Sequence, residues 1–229
     1  MKRWLLRIMG AALGFLLLYH AWIFSRIVWW RSHDPATTAF MQVGLTRLRE
    51  KNPKAQLRQQ WVPYDRISLH LRRAVIAAED QKFLDHEGFD WEEMEKAFDA
   101  NQRRGRIRRG GSTISQQLAK NLFLTPQRSY IRKAEEAIIT KMIELTLPKR
   151  RILEIYLNVI EWGDGVYGAE AAARHYFGTS AASLSPDQSV RLAAIIPNPR
   201  FYYRRGFTPY IEQRAAILQT QMNWIQAPQ

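Results

Sequence analysis

The chain has 229 residues, with 34 lysines and arginines against 21 acidic residues, and its net charge of +13 indicates an anionic partner. It has no cysteine, which excludes zinc-finger spacing, and it carries no nucleic-acid module signature, so we expect an acidic membrane surface and no nucleic acid. The length suffices for one domain with its own core plus a terminal appendage.

An apolar segment near the N-terminus predicts a membrane anchor over residues 8–30. Ile8–Tyr19 is uninterrupted apolar sequence, and the following residues extend it to the ~20 that a spanning helix requires. The bulky residues after it offer no small-x-small cleavage site, so we expect a retained anchor and not a signal peptide. Three basic residues in the tail 1–7 favour a cytoplasmic N-terminus, although Arg26 and Arg31 weaken this charge bias.

Residues 31–60 are predicted to form a membrane-proximal linker. Within it, Met41–Lys51 has the composition of a short basic helix, which Asn52-Pro53 ends. The sequence leaves open whether the apolar side chains of this helix face the bilayer or the core.

Glu79 is the first candidate catalytic residue. The run from Ala74 predicts an apolar helix, capped by Ser68, that ends at Glu79 and Asp80. Apolar surroundings would raise the pKa of the Glu79 carboxyl, as a general base or acid near neutral pH requires. The alternative is an ordinary carboxylate that closes a helix.

The next segment combines a helix with a basic loop. Asp90 is predicted to cap a helix whose inward stripe consists of Trp91, Met94 and Phe98. Gln102–Gly111 contains five arginines among glycines and is predicted to be a mobile loop. That loop is either simply solvated or contacts lipid headgroups or a glycan product.

The segment from Gly110 to Glu136 concentrates polar side chains between helix signals. Thr113 and Gln116 have capping-box spacing, which predicts a helix running towards Phe123. One face of this helix would carry three polar side chains: Thr113, Gln117 and Lys120.

A second helix is predicted to start at Thr125-Pro126, because a capping hydroxyl precedes proline at the first helical position. Arg128, Arg132 and Glu136 are spaced four apart and would stack on one side of it. Two cations beside a carboxylate suit an anionic leaving group such as a diphosphate. The alternative is a solvated helix face with ion pairs.

The remaining sequence predicts further helices and one glycine-rich loop at Glu161–Gly168. No alternating strand pattern exceeds a few residues, so the fold class is nearly all α. The predicted helices are a continuation from Glu136 to Pro148, a short one after Lys149, Gly168–Phe177, Pro186–Ile196 and Pro209–Ile225.

Four blocks, EDQKFLDHEG, GGSTISQQLAKN, RKAEE and RRILEIYLN, resemble the signatures of family 51 glycosyltransferases, which polymerise lipid II into peptidoglycan. The resemblance runs from about Trp61 to Tyr203 in the expected order. It is closest to the monofunctional biosynthetic peptidoglycan transglycosylases, because no Ser-x-x-Lys occurs and no room remains for a transpeptidase domain.

The resemblance implies an all-α fold with a lysozyme-like lobe and a smaller membrane-proximal lobe, spanning residues 61–229 and preceded by one transmembrane helix. It implies a single-pass protein of the bacterial inner membrane, with the catalytic domain on the periplasmic side. The implied partners are lipid II, the growing lipid-linked glycan, the anionic membrane surface and other proteins of cell-wall synthesis or of the divisome.

The resemblance also assigns roles to site residues. Glu79 is the implied base, and Glu136 is implied to assist diphosphate departure, directly or through a divalent cation (Mg or Mn); its neighbour Glu135 is the alternative position. No organic cofactor is expected. The implied diphosphate ligands are Lys120, Arg128 and Arg132; the implied orienting groups are Gln117 and Asn121; and the residues implied to line or support the cleft are Asp80, Phe83, His86, Ser112 and Thr113.

His86 is expected to act as a hydrogen-bonded scaffold and not in proton transfer. Two other functions remain open on sequence grounds. A lysozyme-like lytic transglycosylase would also use a glutamate on a helical scaffold, but it needs no diphosphate cluster. A membrane-anchored, non-catalytic scaffold of the cell-wall machinery is the second alternative.

Overall fold

The computed structural model describes residues 2–103, 111–127 and 129–229, and this part of the chain is almost entirely helical, as predicted. Strands form only a small sheet within it. The helices in these ranges are α1 (Lys2–Trp29), α2 (Ala39–Lys51), α3 (Leu69–Glu79), α4 (Trp91–Arg103), α5 (Ile114–Phe123), α6 (Tyr130–Thr146), α7 (Lys149–Val159), α8 (Ala169–Phe177), α9 (Pro186–Ile195), α10 (Pro199–Arg205) and α11 (Pro209–Gln221).

The small sheet corrects the prediction of a loop at Glu161–Gly168. Strand β1 (Arg58–Gln59) pairs parallel with β3 (Val166–Tyr167), and β3 pairs antiparallel with β2 (Glu161–Gly163). The β2–β3 turn includes Gly165 at φ 75°, which glycine adopts without strain. Strands of two or three residues are too short for alternation to be read from sequence.

By length and composition, helix α1 could cross a membrane. Its first half is exposed, whereas Ile23, Ile27 and Trp30 at its other end are buried against the rest of the molecule. Arg151 of α7 donates to the carbonyl oxygens of Trp30 at 2.9 Å and His33 at 2.6 Å. Helix α1 is therefore docked at its C-terminal end.

The core centres on α3, α5 and α7. Helix α5 packs against α6 on one side and α7 on the other, while α3 packs against α9 and α11. Helix α2 also packs on α5 and buries Met41, so the apolar side of the predicted basic helix faces the core. Polar side chains on α5 are thereby held at fixed positions between the neighbouring helices.

Helix α4 begins after the predicted cap, since Asp90 accepts from the Glu93 N–H at 2.9 Å. The predicted inward stripe on it is wrong at Trp91 and Phe98, whereas Met94 is half-buried. The side chains of Trp91 and Phe98 are 69% and 64% exposed, and Ala97 is the buried position instead. The Gly111 backbone lies so close to α4 that an added Cβ would be 3.0 Å from the Met94 Cα. This close approach favours a small side chain on the packed face and leaves the aromatic residues outside.

The start of α6 is also corrected. Ser129 caps the helix by accepting from the Arg132 N–H at 3.1 Å, so Thr125-Pro126 lies in the connection before it. Helix α10 was not predicted, because its seven residues are too few for a periodic pattern. The other predicted helices are present within one or two residues of their expected bounds, with two exceptions: α1 begins six residues before the predicted segment 8–30, and the last helix ends at Gln221 and continues as a single 3₁₀ turn.

Candidate active site

Glu79 lies half-buried at the C-terminal end of α3, where Ser68 caps the start of the helix as predicted. Its Oε2 accepts a hydrogen bond of 2.8 Å from Nε2 of Gln117. Burial raises the pKa of the Glu79 carboxyl, although the Gln117 hydrogen bond and the charges of Arg214 and Lys120 act in the opposite direction. A carboxyl group with a raised pKa and one neutral hydrogen-bond donor is suited to general-base chemistry.

The N-terminus of α5 is held against the end of α3. Thr113 and Gln116 form the predicted capping box, and the Thr113 hydroxyl donates to the Gly88 carbonyl at 2.7 Å. Asp80, which is buried, accepts from the Ile114 N–H at 2.9 Å. The residue after Glu79 thus fixes where α5 begins.

His86 completes this support. The Gly88 N–H donates to His86 Nδ1 at 3.1 Å, so His86 Nε2 carries the proton and donates to Asp80 at 2.9 Å. Phe83 is fully buried and lies edge-on to the imidazole, with ring centroids 6.5 Å apart. Asp80, Phe83 and His86 therefore form a scaffold behind the cleft.

Glu136 of α6 forms the other end of the site. Its side chain is buried, and its two oxygens accept from Arg132 at 2.6 Å and from Lys133 at 2.5 Å. The neighbouring Glu135 points elsewhere, with Oε1 3.2 Å from His20 Nε2 on the anchor helix. The residue at the cleft is therefore Glu136 and not Glu135.

Lys120 connects the two ends. Burial lowers the pKa of its ammonium group. The charges of Glu136 and Glu79 raise this pKa, and those of Arg132 and Lys133 lower it. Its Nζ lies 5.7 Å from the centre of the Phe40 ring on α2. One half-buried cation on α5 thus interacts electrostatically with the carboxylates of both α3 and α6, so the two carboxylates belong to one site.

Asn121 is buried, and its Nδ2 donates to the backbone carbonyl of Gln117 at 2.7 Å. The Asn121 side chain therefore supports helix α5 itself. Ser112 accepts from Nζ of Lys133 at 3.4 Å, which places it beside the cations. Arg128 and positions 104–110 of the basic loop lie outside the described residues.

The side chains around Glu136 do not fit a divalent cation. Both carboxylate oxygens already accept from cationic groups, and Lys120 adds a third positive charge nearby. Over residues 2–103, 111–127 and 129–229, no group of three or more His, Asp or Glu side chains is arranged to hold a metal ion. A divalent ion would meet one carboxylate and three cations there.

The structure adds three residues to the site that the sequence analysis did not single out. Lys133 is adjacent to Arg132 and three residues before Glu136, and this helical spacing is the signal that could have identified it. Tyr156 of α7 donates to Gln117 Oε1 at 2.9 Å, and Arg214 of α11 lowers the pKa of Glu79. Tyr156 lies within the RRILEIYLN block, which gives no sign of this contact, and Arg214 lies outside all four blocks, so only the fold reveals their places in the site.

Comparisons with known proteins show which family the chain is similar to. A family model described as Transglycosylase matches residues 46–223. The biosynthetic peptidoglycan transglycosylase of Azoarcus sp. (strain BH72) is 55% identical over 226 residues, covering 99% of this chain and 97% of the relative. That of Dechloromonas aromatica (strain RCB) is 56% identical over 220 residues, covering 96% and 95%. That of Laribacter hongkongensis (strain HLHK9) is 54% identical over 228 residues, covering both chains fully.

Proposed function

The chain belongs to the transglycosylase family and is a glycosyltransferase, and from this premise we propose that it polymerises lipid II into the glycan strands of peptidoglycan. The reaction joins the anomeric carbon of the growing, lipid-linked chain to the sugar 4-hydroxyl of an incoming lipid II. It proceeds with inversion and releases undecaprenyl diphosphate. The observation that carries this proposal is that one half-buried cation, Lys120, interacts electrostatically with both Glu79 and Glu136.

Glu79 is the proposed general base. It takes the proton of the attacking 4-hydroxyl as that oxygen forms a bond to the anomeric carbon. The bond between this carbon and the diphosphate oxygen breaks on the opposite face, and its electron pair leaves with the diphosphate. The raised pKa of Glu79 keeps the carboxylate basic enough for this transfer.

The cations at the other end stabilise the departing diphosphate. Lys120, Arg132 and Lys133 supply fixed positive charge where negative charge develops, and the family resemblance gives Arg128 the same role. Glu136 positions Arg132 and Lys133 through its two ion pairs. Because these charges are already in place before the reaction, the proposed departure needs no metal ion at Glu136.

The location follows from the anchor helix. We propose that α1 spans the bacterial inner membrane with residues 1–7 in the cytoplasm, and that residues 61–229 act at the outer surface of that membrane. The net charge of +13 suits an anionic lipid surface, and other cell-wall synthesis proteins are the expected partners. Protease added to intact spheroplasts should digest the catalytic domain; its full protection would contradict this orientation.

The experiment that tests the function is polymerisation of lipid II by the purified full-length protein. The wild type and Glu95→Gln, which changes an exposed glutamate on α4, should both produce glycan polymer. Glu79→Gln should produce none while remaining folded by circular dichroism. Cleavage of preformed glycan without synthesis would indicate a lytic enzyme, and no reaction in either direction would indicate a scaffold.

A further inference from the structure

Tyr156 is a buried side chain directly behind the proposed base. It belongs to α7 and is fully buried, and its hydroxyl donates to Gln117 Oε1 at 2.9 Å. The same amide donates from Nε2 to Glu79 Oε2 at 2.8 Å. Two consecutive hydrogen bonds therefore connect Tyr156 to Glu79 through one side chain.

The chemistry of the three groups fixes the direction of these bonds. An ionised carboxylate only accepts hydrogen bonds, so Gln117 must present its NH₂ group to Glu79. Its carbonyl oxygen then faces Tyr156, which must donate. Burial and the nearby charges of Glu79 and Asp80 raise the pKa of Tyr156 well above its usual value, so this hydroxyl keeps its proton.

An amide flip would break the bond to Glu79 and leave the buried Tyr156 proton without its Gln117 acceptor. Rotating the Gln117 amide by half a turn would place its carbonyl oxygen against the Glu79 carboxylate and its NH₂ group against the Tyr156 hydroxyl. The second hydrogen of the NH₂ group points to the Ser112 carbonyl at 3.4 Å, and a flip would lose this contact too. The buried hydroxyl of Tyr156 thus selects one orientation of the amide.

We propose that Tyr156 is a positioning residue for the transfer reaction: it orients the Gln117 amide so that its NH₂ group holds the carboxylate of Glu79. This inference rests on the proposed role of Glu79 as the base. Tyr156 touches neither substrate nor reacting atoms, and it acts only through Gln117.

Other groups also act on Glu79 and stay in place when Tyr156 is changed. Arg214 from α11 and Lys120 from α5 favour its ionised form, while burial and the charge of Asp80 disfavour it. A change confined to the Tyr156 hydroxyl leaves these four influences as they are. A changed pKa of Glu79 in such a variant therefore reflects a changed position of the Gln117 amide.

The main test is Tyr156→Phe, which removes one hydroxyl and keeps the ring. We expect kcat to fall about tenfold, the effect of one lost hydrogen bond, with KM unchanged. The acidic limb of the pH profile of kcat should move to higher pH, because a free amide favours ionised Glu79 less. The matched control is Tyr64→Phe, which removes an equally buried hydroxyl that donates to the Pro228 carbonyl; it should leave the limb in place.

A double variant separates positioning from packing. If Tyr156 acts through Gln117, adding Tyr156→Phe to Gln117→Met should cause no further fall in kcat and no further shift of the limb. Independent, multiplying effects in the double variant would overturn the inference. The inference would also be overturned if Tyr156→Phe lowered only the melting temperature and left the acidic limb of kcat unchanged.

A titration by carbon-13 NMR decides the inference without any activity. Glutamate carboxyl carbons are labelled in the full chain, and the Glu79 signal is identified by its absence in Glu79→Gln. Tyr156→Phe should raise the titration midpoint of this signal, and an unchanged midpoint would overturn the inference. A wild type that makes no polymer would instead contradict the proposed function.

Discussion

The two ends of the cleft hold carboxylates in opposite surroundings. At one end, Glu79 meets a neutral amide at 2.8 Å, and burial raises its pKa. At the other end, Glu136 is bound by Arg132 at 2.6 Å and Lys133 at 2.5 Å. Glu79 is therefore available as a proton acceptor, whereas Glu136 is a counterion of two cations. Pairs of titratable groups whose environments diverge in this way divide the work of a reaction.

Helix α5 connects the two ends of the site. Its N-terminal turn is fixed by Asp80, its middle carries Gln117 towards Glu79, and Lys120 lies one turn further towards Glu136. A helix rises about 1.5 Å per residue, so the two ends of the site are a fixed distance apart. Variants that remove a charge at either end test whether the two carboxylates have different roles in the reaction.

The largest effect is expected from removing the charge at the ion-paired end. Glu136→Gln should lower kcat by about 100-fold to 1,000-fold, because Arg132 and Lys133 lose the partner that holds them for the diphosphate. The rate of lipid II polymerisation measures this. The matched control is Glu135→Gln, whose carboxyl faces His20 and not the cleft. An equal loss in both variants would contradict the assignment of Glu136.

Lys120→Met should affect both ends. We expect kcat to fall about 100-fold, since a preorganised cation is lost from the leaving-group side. The charge of Lys120 also lowers the pKa of Glu79, so its removal should raise that pKa and move the acidic limb of kcat to higher pH. Lys96→Met, on the exposed face of α4, is the control. A limb that stays in place would show that Lys120 does not act on Glu79.

The two cations beside Glu136 should differ from each other. The Arg132 side chain is 17% exposed and that of Lys133 is 42% exposed, so solvent screens the lysine more. Arg132→Ala is expected to lower kcat about tenfold and Lys133→Ala by about threefold. Single-turnover rates at saturating lipid II would resolve the difference. A larger loss from Lys133→Ala would reverse this ranking.

The smallest effect concerns the support of the base end. Thr113→Val removes the hydroxyl of the capping box and should lower the free energy of unfolding by about 1 kcal/mol. Denaturant titration in detergent measures it. Thr113→Ser keeps the hydroxyl and should recover most of the loss. Destabilisation by Thr113→Ser but not by Thr113→Val would indicate that the methyl group, and not the cap, matters.

The parts of the site that the sequence predicted are those with local signals. The capping box at Thr113 and Gln116 and the cap at Ser68 depend on spacings of two or three residues, and both are present. Four of the motif positions also interact with one another in one site: Glu79, Gln117, Lys120 and Glu136. Their roles in the reaction stay predictions.

The errors arise where long-range packing decides. Trp91 and Phe98 match an inward helix stripe, but the close approach of Gly111 to α4 leaves them exposed. Thr125-Pro126 has the residues of a helix start, but the helix begins after Ser129, four residues later. Tyr156 and Arg214 reach the site only because α7 and α11 pack beside it, and no local pattern in one sequence encodes that contact.

The pH dependence of kcat in Glu136→Gln tests the division of roles most directly. A base must be ionised to accept a proton, so the rate should rise with pH through the pKa of Glu79, which burial raises. We predict that Glu136→Gln lowers the rate at every pH but keeps this acidic limb where it is in the wild type. Disappearance of the limb in Glu136→Gln would identify Glu136 as the base and contradict the account.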